Sequence, residues 1–186
     1  CWSLRPLPPW VMWVTGAALF IRLADYREVG GLDGHFFAHM EEIDLCWRLR
    51  SRGKKLVCIP QSVVYHVGGA TLKKENPRKT FLNFRNNLLM LYKNLPDKEL
   101  EHVLFIRGIL DRVAALVFYL KKDRANARAV MQARREFEDI RYSFAASRIE
   151  NMMKSTDEII PERTHFSIVM KYYLLGKKHF SQLKLF

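Results

Sequence analysis

Three carboxylates crowd one short stretch of this chain. Glu41, Glu42 and Asp44 run straight into Leu45, Cys46, Trp47 and Arg48, and a lone histidine, His66, follows ahead of Gly68 and Gly69. Crowded carboxylates suit general-base work, because a base acting near neutral pH needs a raised pKa and like charges raise one another. If the acids open a helix, its dipole pulls their pKa values the other way. The spacing therefore leaves the sign of any shift at Glu42 open. Helix capping explains the same acids, at ~0.3–1 kcal/mol each. Successive residues of a helix point about 100° apart, so only one of Glu41 and Glu42 can face a given cleft. His66 ends a short apolar segment and is a candidate metal ligand, although a lone histidine is more often structural. A hard divalent ion would also need carboxylates, and only distant residues could supply them.

The elements that must position these groups can be read in outline. Residues 1–10 hold Pro6, Pro8 and Pro9 and read as a loop. The small residues Thr15, Gly16, Ala17 and Ala18 mark a close backbone approach, and residues 18–22 read as a strand. A short helix or turn with Asp25 as its cap fits residues 23–29, and the Gly30-Gly31 pair turns the chain. Aromatic residues 35–40 should pack under the site. Residues 41–52 read as a helix: acids come first, Arg48, Arg50 and Arg52 come last, and Gly53 stands where a helix-ending glycine belongs. Residues 55–59, stopped by Pro60, and residues 63–66 read as two further short strands. From Pro77 the spacing turns helical through Phe81, Phe84, Leu88, Leu91 and Tyr92 as far as Pro96. Helices are expected over 100–120 and 125–153, with Pro161 ending the pattern.

Charge divides the chain. Residues 1–72 carry 8 Lys and Arg against 6 Asp and Glu, while residues 73–186 carry 23 against 13. That predicts a nearly neutral unit over 1–72 and a basic, mainly helical region over 73–186, whose partners would be anionic. Anionic lipid and a phosphorylated substrate are the candidates, and a soluble helical bundle with solvated charges accounts for the same residues equally well, because Glu136, Glu138 and Asp139 interleave with Arg134, Arg135 and Arg141. Nucleic acid is not a candidate, because no recognition motif accompanies the charge. Cys1, Cys46 and Cys58 are odd in number and lack a C-x-x-C pair, so they form neither a disulfide framework nor a zinc site, and a reducing compartment is the simpler setting.

Taken in order, residues 13–22 (Trp-Val-Thr-Gly-Ala-Ala-Leu-Phe-Ile-Arg), residues 29–33 (Val-Gly-Gly-Leu-Asp), residues 36–50 around Glu41, Glu42 and Asp44, then Gly53, Pro60 and His66, closely resemble the bacterial family 2 glycosyltransferases. The resemblance covers about residues 13–95. It implies an α/β chain: a partial GT-A fold, the acceptor-side half of short strands and helices, followed by the helical region. It implies inverting transfer of a hexosyl or rhamnosyl group from a nucleoside-diphosphate donor to a glycan or lipid-linked acceptor in cell-surface polysaccharide synthesis. Glu42 would be the catalytic base, with Glu41 and Asp44 beside it. The family usually has Asp at the position of Glu42. Thr15, Gly16 and Ala17 would line the sugar and acceptor pocket. Arg48 would pair with the acids or with substrate phosphate. His66 would be one ligand of a divalent metal, Mg or Mn, held mainly by residues outside this chain. The family's nucleotide-binding half and its D-x-D motif are not found here, so the chain reads as a C-terminal piece that would not transfer alone. The expected location is cytoplasmic, at the inner face of the bacterial membrane. The rival expectation is a non-catalytic helical interaction or membrane-docking domain.

Overall fold

A computed structural model describes residues 10–66, 76–156, 160, 163, 168–173, 175–179 and 182. The expected glycine loop at Gly68-Gly69, the proline-rich start and Pro161 lie outside the described residues. Among the described residues seven α-helices follow in chain order: α1 (Leu23–Glu28), α2 (Glu41–Ser51), α3 (Pro77–Asn94), α4 (Asp97–Leu120), α5 (Arg124–Ile140), α6 (Ala145–Lys154) and α7 (Ile168–Tyr173). Short 3-10 turns occupy Gly16–Ala18, Gly34–Phe36 and Arg141–Phe144.

The α/β, partial GT-A expectation is overturned, because the described residues contain helices and no strand. Residues 18–22, 55–59 and 63–66 were the strand candidates. What remains of them is one antiparallel bridge, Trp10 to Val57, with Val11 N–H donating to the Leu56 carbonyl at 3.0 Å. The physical reason is that a strand is stable only in a ladder. These short apolar segments find no described neighbour to pair with, and Phe20, Ile59, Val63, Val64 and Tyr65 stay exposed.

Local chemistry explains the helix ends. The Asn76 side chain accepts from Arg78 N–H at 2.9 Å ahead of Pro77, which opens α3, and Pro96 forces its end. Gly53 (φ 74°) closes α2: its N–H donates to Arg50 O, and Lys54 N–H donates to Leu49 O. Lys122 (φ 62°) does the same for α4, and Asp123 then caps α5, giving a tight helical hairpin. The single helix expected over 125–153 is broken at Arg141–Phe144, where the Ser143 hydroxyl bonds the Ile140 carbonyl at 2.7 Å. The tighter turn directs Arg148 and Asn151 of α6 inward.

One hydrophobic cluster joins Phe36 and Trp47 to Leu88, Leu89, Met90, Tyr92, Leu100, Leu104, Phe137 and Phe144. It takes residues from both sides of the boundary expected at 72/73. A smaller cluster, Val29, Leu45 and Leu49, lies under α1.

Candidate functional site

The chain enters α2 through an unusual backbone. Phe37, His39 and Met40 all have positive φ (61°, 69° and 74°), and Ala38 N–H bonds back to Phe36 O at 2.7 Å. Non-glycine residues disfavour this region by ~1–2 kcal/mol each, so the loop must be held from outside. Asn86 of α3 holds it: fully buried, it directs its side-chain NH2 at the carbonyls of Phe36, Ala38 and His39, each at 2.8 Å. Arg85 adds a bond from its guanidinium to the His35 carbonyl at 3.0 Å. The loop fixes where the first turn of α2 begins.

That first turn carries Glu41, Glu42 and Asp44, and the three carboxylates sit in different surroundings. Glu42 faces the 3-10 turn at Gly16: a Cβ built on Gly16 would lie 3.7 Å from the Glu42 Cβ. Of the expected trio Thr15, Gly16 and Ala17, Gly16 is the one that meets Glu42, and the Thr15 hydroxyl accepts from Ala17 N–H at 3.4 Å. Burial pushes the Glu42 carboxyl above its ordinary pKa. Its own amide opposes that rise, the Glu41 carboxylate adds to it and His39 counters in part. Burial, which the spacing does not show, gives the rise its largest cause. Oε2 of Glu41, Oε2 of Glu42 and Nε2 of His39 are all buried without a hydrogen-bond partner among the described residues. Buried polar atoms are rarely left so. Cys46, one turn on from Glu42, is buried, and burial raises its thiol pKa too.

Asp44 points the other way and has no solvent contact. It accepts from Arg48 Nε at 2.9 Å, Lys93 Nζ at 3.0 Å and Asn94 Nδ2 at 2.7 Å. Arg48 is saturated by Asp44, by the Val29 carbonyl and by the Gly31 carbonyl at 2.8 Å. Lys93 bridges Asp44 and Asp33, the latter at 2.8 Å. Asp33 would be raised by burial, but Lys93 and the His35 amide and ring hold it down at about 2. This buried lattice anchors the turn after α1 to α2 and α3. Gly31 (φ 68°) is needed in that turn, because a Cβ there would meet the Tyr26 ring at 2.9 Å.

His66 lies exposed, and the described residues hold no group of three or more His, Cys, Asp or Glu able to share a metal. The residues described here do not fit a resident divalent ion. A hollow of about 710 Å³ between residues 29–35 and α6 has Arg48, Arg52 and Lys93 on its wall, and neither Glu41 nor Glu42 lines it. His39, Asn86 and Lys93 are the residues that sequence reasoning passes over. His39 shows only as part of an aromatic stretch. Asn86 and Lys93 lie on a helix that reads as plain core.

Over 63 residues the chain is 36% identical to an N-acetylglucosaminyl-diphospho-decaprenol L-rhamnosyltransferase of Mycobacterium tuberculosis, covering 34% of this chain and 20% of that protein. Over 141 residues it is 31% identical to a pre-mycofactocin glycosyltransferase of the same organism, covering 70% of this chain and 29% of the relative. Over 56 residues it is 36% identical to rhamnosyltransferase WbbL of Escherichia coli, covering 30% of this chain and 21% of the relative. The chain is related to bacterial glycosyltransferases. It spans less than a third of the length of these relatives. No family model matches it, and no solved structure does.

Proposed function

We propose that this chain supplies the acceptor-activating part of an inverting, family 2 glycosyltransferase. The observation that carries the reading is the half-buried Glu42 side chain at the start of α2, with one buried oxygen lacking a hydrogen-bond partner among the described residues, a raised pKa, and Gly16 facing its Cβ. A carboxylate in that state favours taking a proton. In the proposed reaction Glu42 removes the proton of an acceptor hydroxyl. The alkoxide oxygen bonds to the anomeric carbon of a hexosyl or rhamnosyl donor from the face opposite the leaving group. The carbon–oxygen bond to the nucleoside diphosphate breaks, and the diphosphate leaves with the electron pair. Gly16 leaves room for the acceptor beside the carboxylate, and the strained loop held by Asn86 keeps the carboxylate in place. The lipid-diphosphate acceptor in one relative's name, and rhamnosyl transfer in two, support a glycan or lipid-linked acceptor in polysaccharide synthesis. A divalent ion on the donor diphosphate would take His66 as one ligand and find the others outside this chain.

Glu42→Gln, made in the protein expressed from its full native gene, tests the reading. Sugar transfer should fall by roughly 100-fold or more in kcat, the usual range for losing a general base, with an unchanged unfolding midpoint. Undiminished transfer would remove Glu42 as the base. A wild-type protein that transfers no sugar would favour the non-catalytic interaction domain.

A further inference from the structure

The outward face of α4 plays no part in the transfer reading. The helix packs Leu100, Leu104, Gly108, Asp111 and Ala115 inward. On the opposite face Phe105, Ile109, Val113, Leu116 and Leu120 recur every three or four residues, and each is at least half exposed, Phe105 and Leu120 at 70%. A helix at a protein surface normally places polar residues there. Arg112 interrupts the stripe, and its guanidinium bends back onto the Gly108 carbonyl at 3.0 Å.

Charge along the hairpin of α4 and α5 is sorted by position. Residues 112–135 hold seven Lys and Arg and a single acid, Asp123. That acid is already engaged by the Asn126 amide and side chain. The other acids are Asp97, Glu99 and Glu101 early in α4, Asp111 buried at mid-helix against Arg107 and Arg134, and Glu136, Glu138 and Asp139 late in α5. Near the tip a groove of about 770 Å³ has Leu116, Tyr119 and Met131 beside Arg124, Arg128 and Arg135, with no carboxylate on its wall.

An occupant of this surface must be apolar and anionic in the same place. A second copy of the tip would bring cations against cations. The interface of an anionic bilayer offers both features within the ~5–10 Å depth that an in-plane amphipathic helix reaches. We propose that the outer face of α4, with the cationic tip it forms with the start of α5, docks on an anionic lipid bilayer, α4 lying in the plane of the interface. This holds whether or not Glu42 acts as a base.

Co-sedimentation with vesicles tests it without any activity assay. The full chain should pellet with phosphatidylcholine vesicles containing phosphatidylglycerol and stay in solution with phosphatidylcholine alone, and added salt should release it. The double variant L116D/L120D, at exposed positions, should weaken binding at least about tenfold while helicity and unfolding midpoint stay unchanged. R124E/R128E should do the same. Equal pelleting by wild type and both variants, or equal pelleting with both kinds of vesicle, would overturn the proposal. So would a vesicle-free dimer abolished by L116D/L120D, which would assign the face to a second copy.

Discussion

At the scale of single residues, the acids of α2 divide their work by direction. Glu42 faces Gly16 with an unpartnered oxygen, and Asp44 faces a cage of cations. The division has opposite consequences with pH. Burial raises the Glu42 carboxyl, so between its ordinary value of 4.5 and its raised one the folded chain holds a proton that the unfolded chain has released. Stability contributed by Glu42 is therefore present at low pH and falls as pH rises through that window. Transfer should rise with pH over the same window, and the acid limb of kcat/KM should vanish in Glu42→Gln. Asp33 behaves in reverse. Its carboxyl sits at about 2 against an ordinary 3.8, so the unfolded chain takes up a proton first as pH falls. About 1–2 kcal/mol, discounted for partial exposure, should be lost between roughly pH 4 and pH 2, and Asp33→Asn should lose that sensitivity in acid-dependent urea titrations. Asp44→Ala is the harsher change. It leaves Arg48 buried without a carboxylate and Lys93 with Asp33 alone, and the unfolding free energy should drop by about 3–5 kcal/mol. A drop under ~1 kcal/mol would show that the lattice is not the anchor described.

At the scale of elements, the decisive piece is the loop before α2, held against its own backbone preference by a distant helix. Asn86→Ala leaves the Phe36, Ala38 and His39 carbonyls short of a donor and should cost about 2–3 kcal/mol, read in urea titration. Phe37→Gly should act oppositely. Phe37 is exposed at φ 61°, so glycine relieves the strain and should stabilise by up to about 1 kcal/mol, with the Arg78 contact to its ring given up. A neutral or destabilising result would mean that the loop is not strained at this residue. The contrast shows what a sequence can carry. Gly53 and the Asn76-Pro77 pair announce helix ends because their side-chain chemistry dictates local backbone. The helix of acids and arginines between Glu41 and Ser51 is legible for the same reason, and so is the nearness of Gly16 to something bulky. Phe37, His39 and Met40 carry no such mark, because residues with side chains are not expected at positive φ, and their reason for being there lies on α3. The apolar segments at 55–59 and 63–66 mislead in the other direction. Alternation describes a face, and only a pairing partner makes it a strand.

At the scale of the whole molecule, the question is whether the neutral stretch and the basic region are separate bodies. Composition suggests a boundary at 72/73, but packing runs across it. Trp47 of α2 shares a cluster with Leu88, Leu89 and Phe137 of α3 and α5. Lys93 and Asn94 satisfy Asp44. Thr156 N–H bonds the Ser51 carbonyl at 2.7 Å, fastening the end of α6 to the end of α2. Arg148 of α6 donates to the Leu95 carbonyl at 2.7 Å and pairs with Asp97, locking the α3–α4 corner. The links through Trp47, Asp44 and Thr156 cross that boundary, so neither part can open without exposing apolar surface and stripping Asp44 of its partners. The expected consequence is a single cooperative transition. Two probes can see it independently. Trp47 is buried, so with Trp2, Trp10 and Trp13 replaced by Phe the tryptophan emission reports on α2. Far-ultraviolet helicity is dominated by α3, α4 and α5. In urea the two curves should superimpose with one midpoint and one slope. Arg148→Ala should lower that shared midpoint without separating the curves, because it removes a clamp and not a boundary. Two resolved midpoints in the parent chain would mean that the 1–72 and 73–186 regions fold as independent units, with the Asp44 lattice acting as a dockable interface between them.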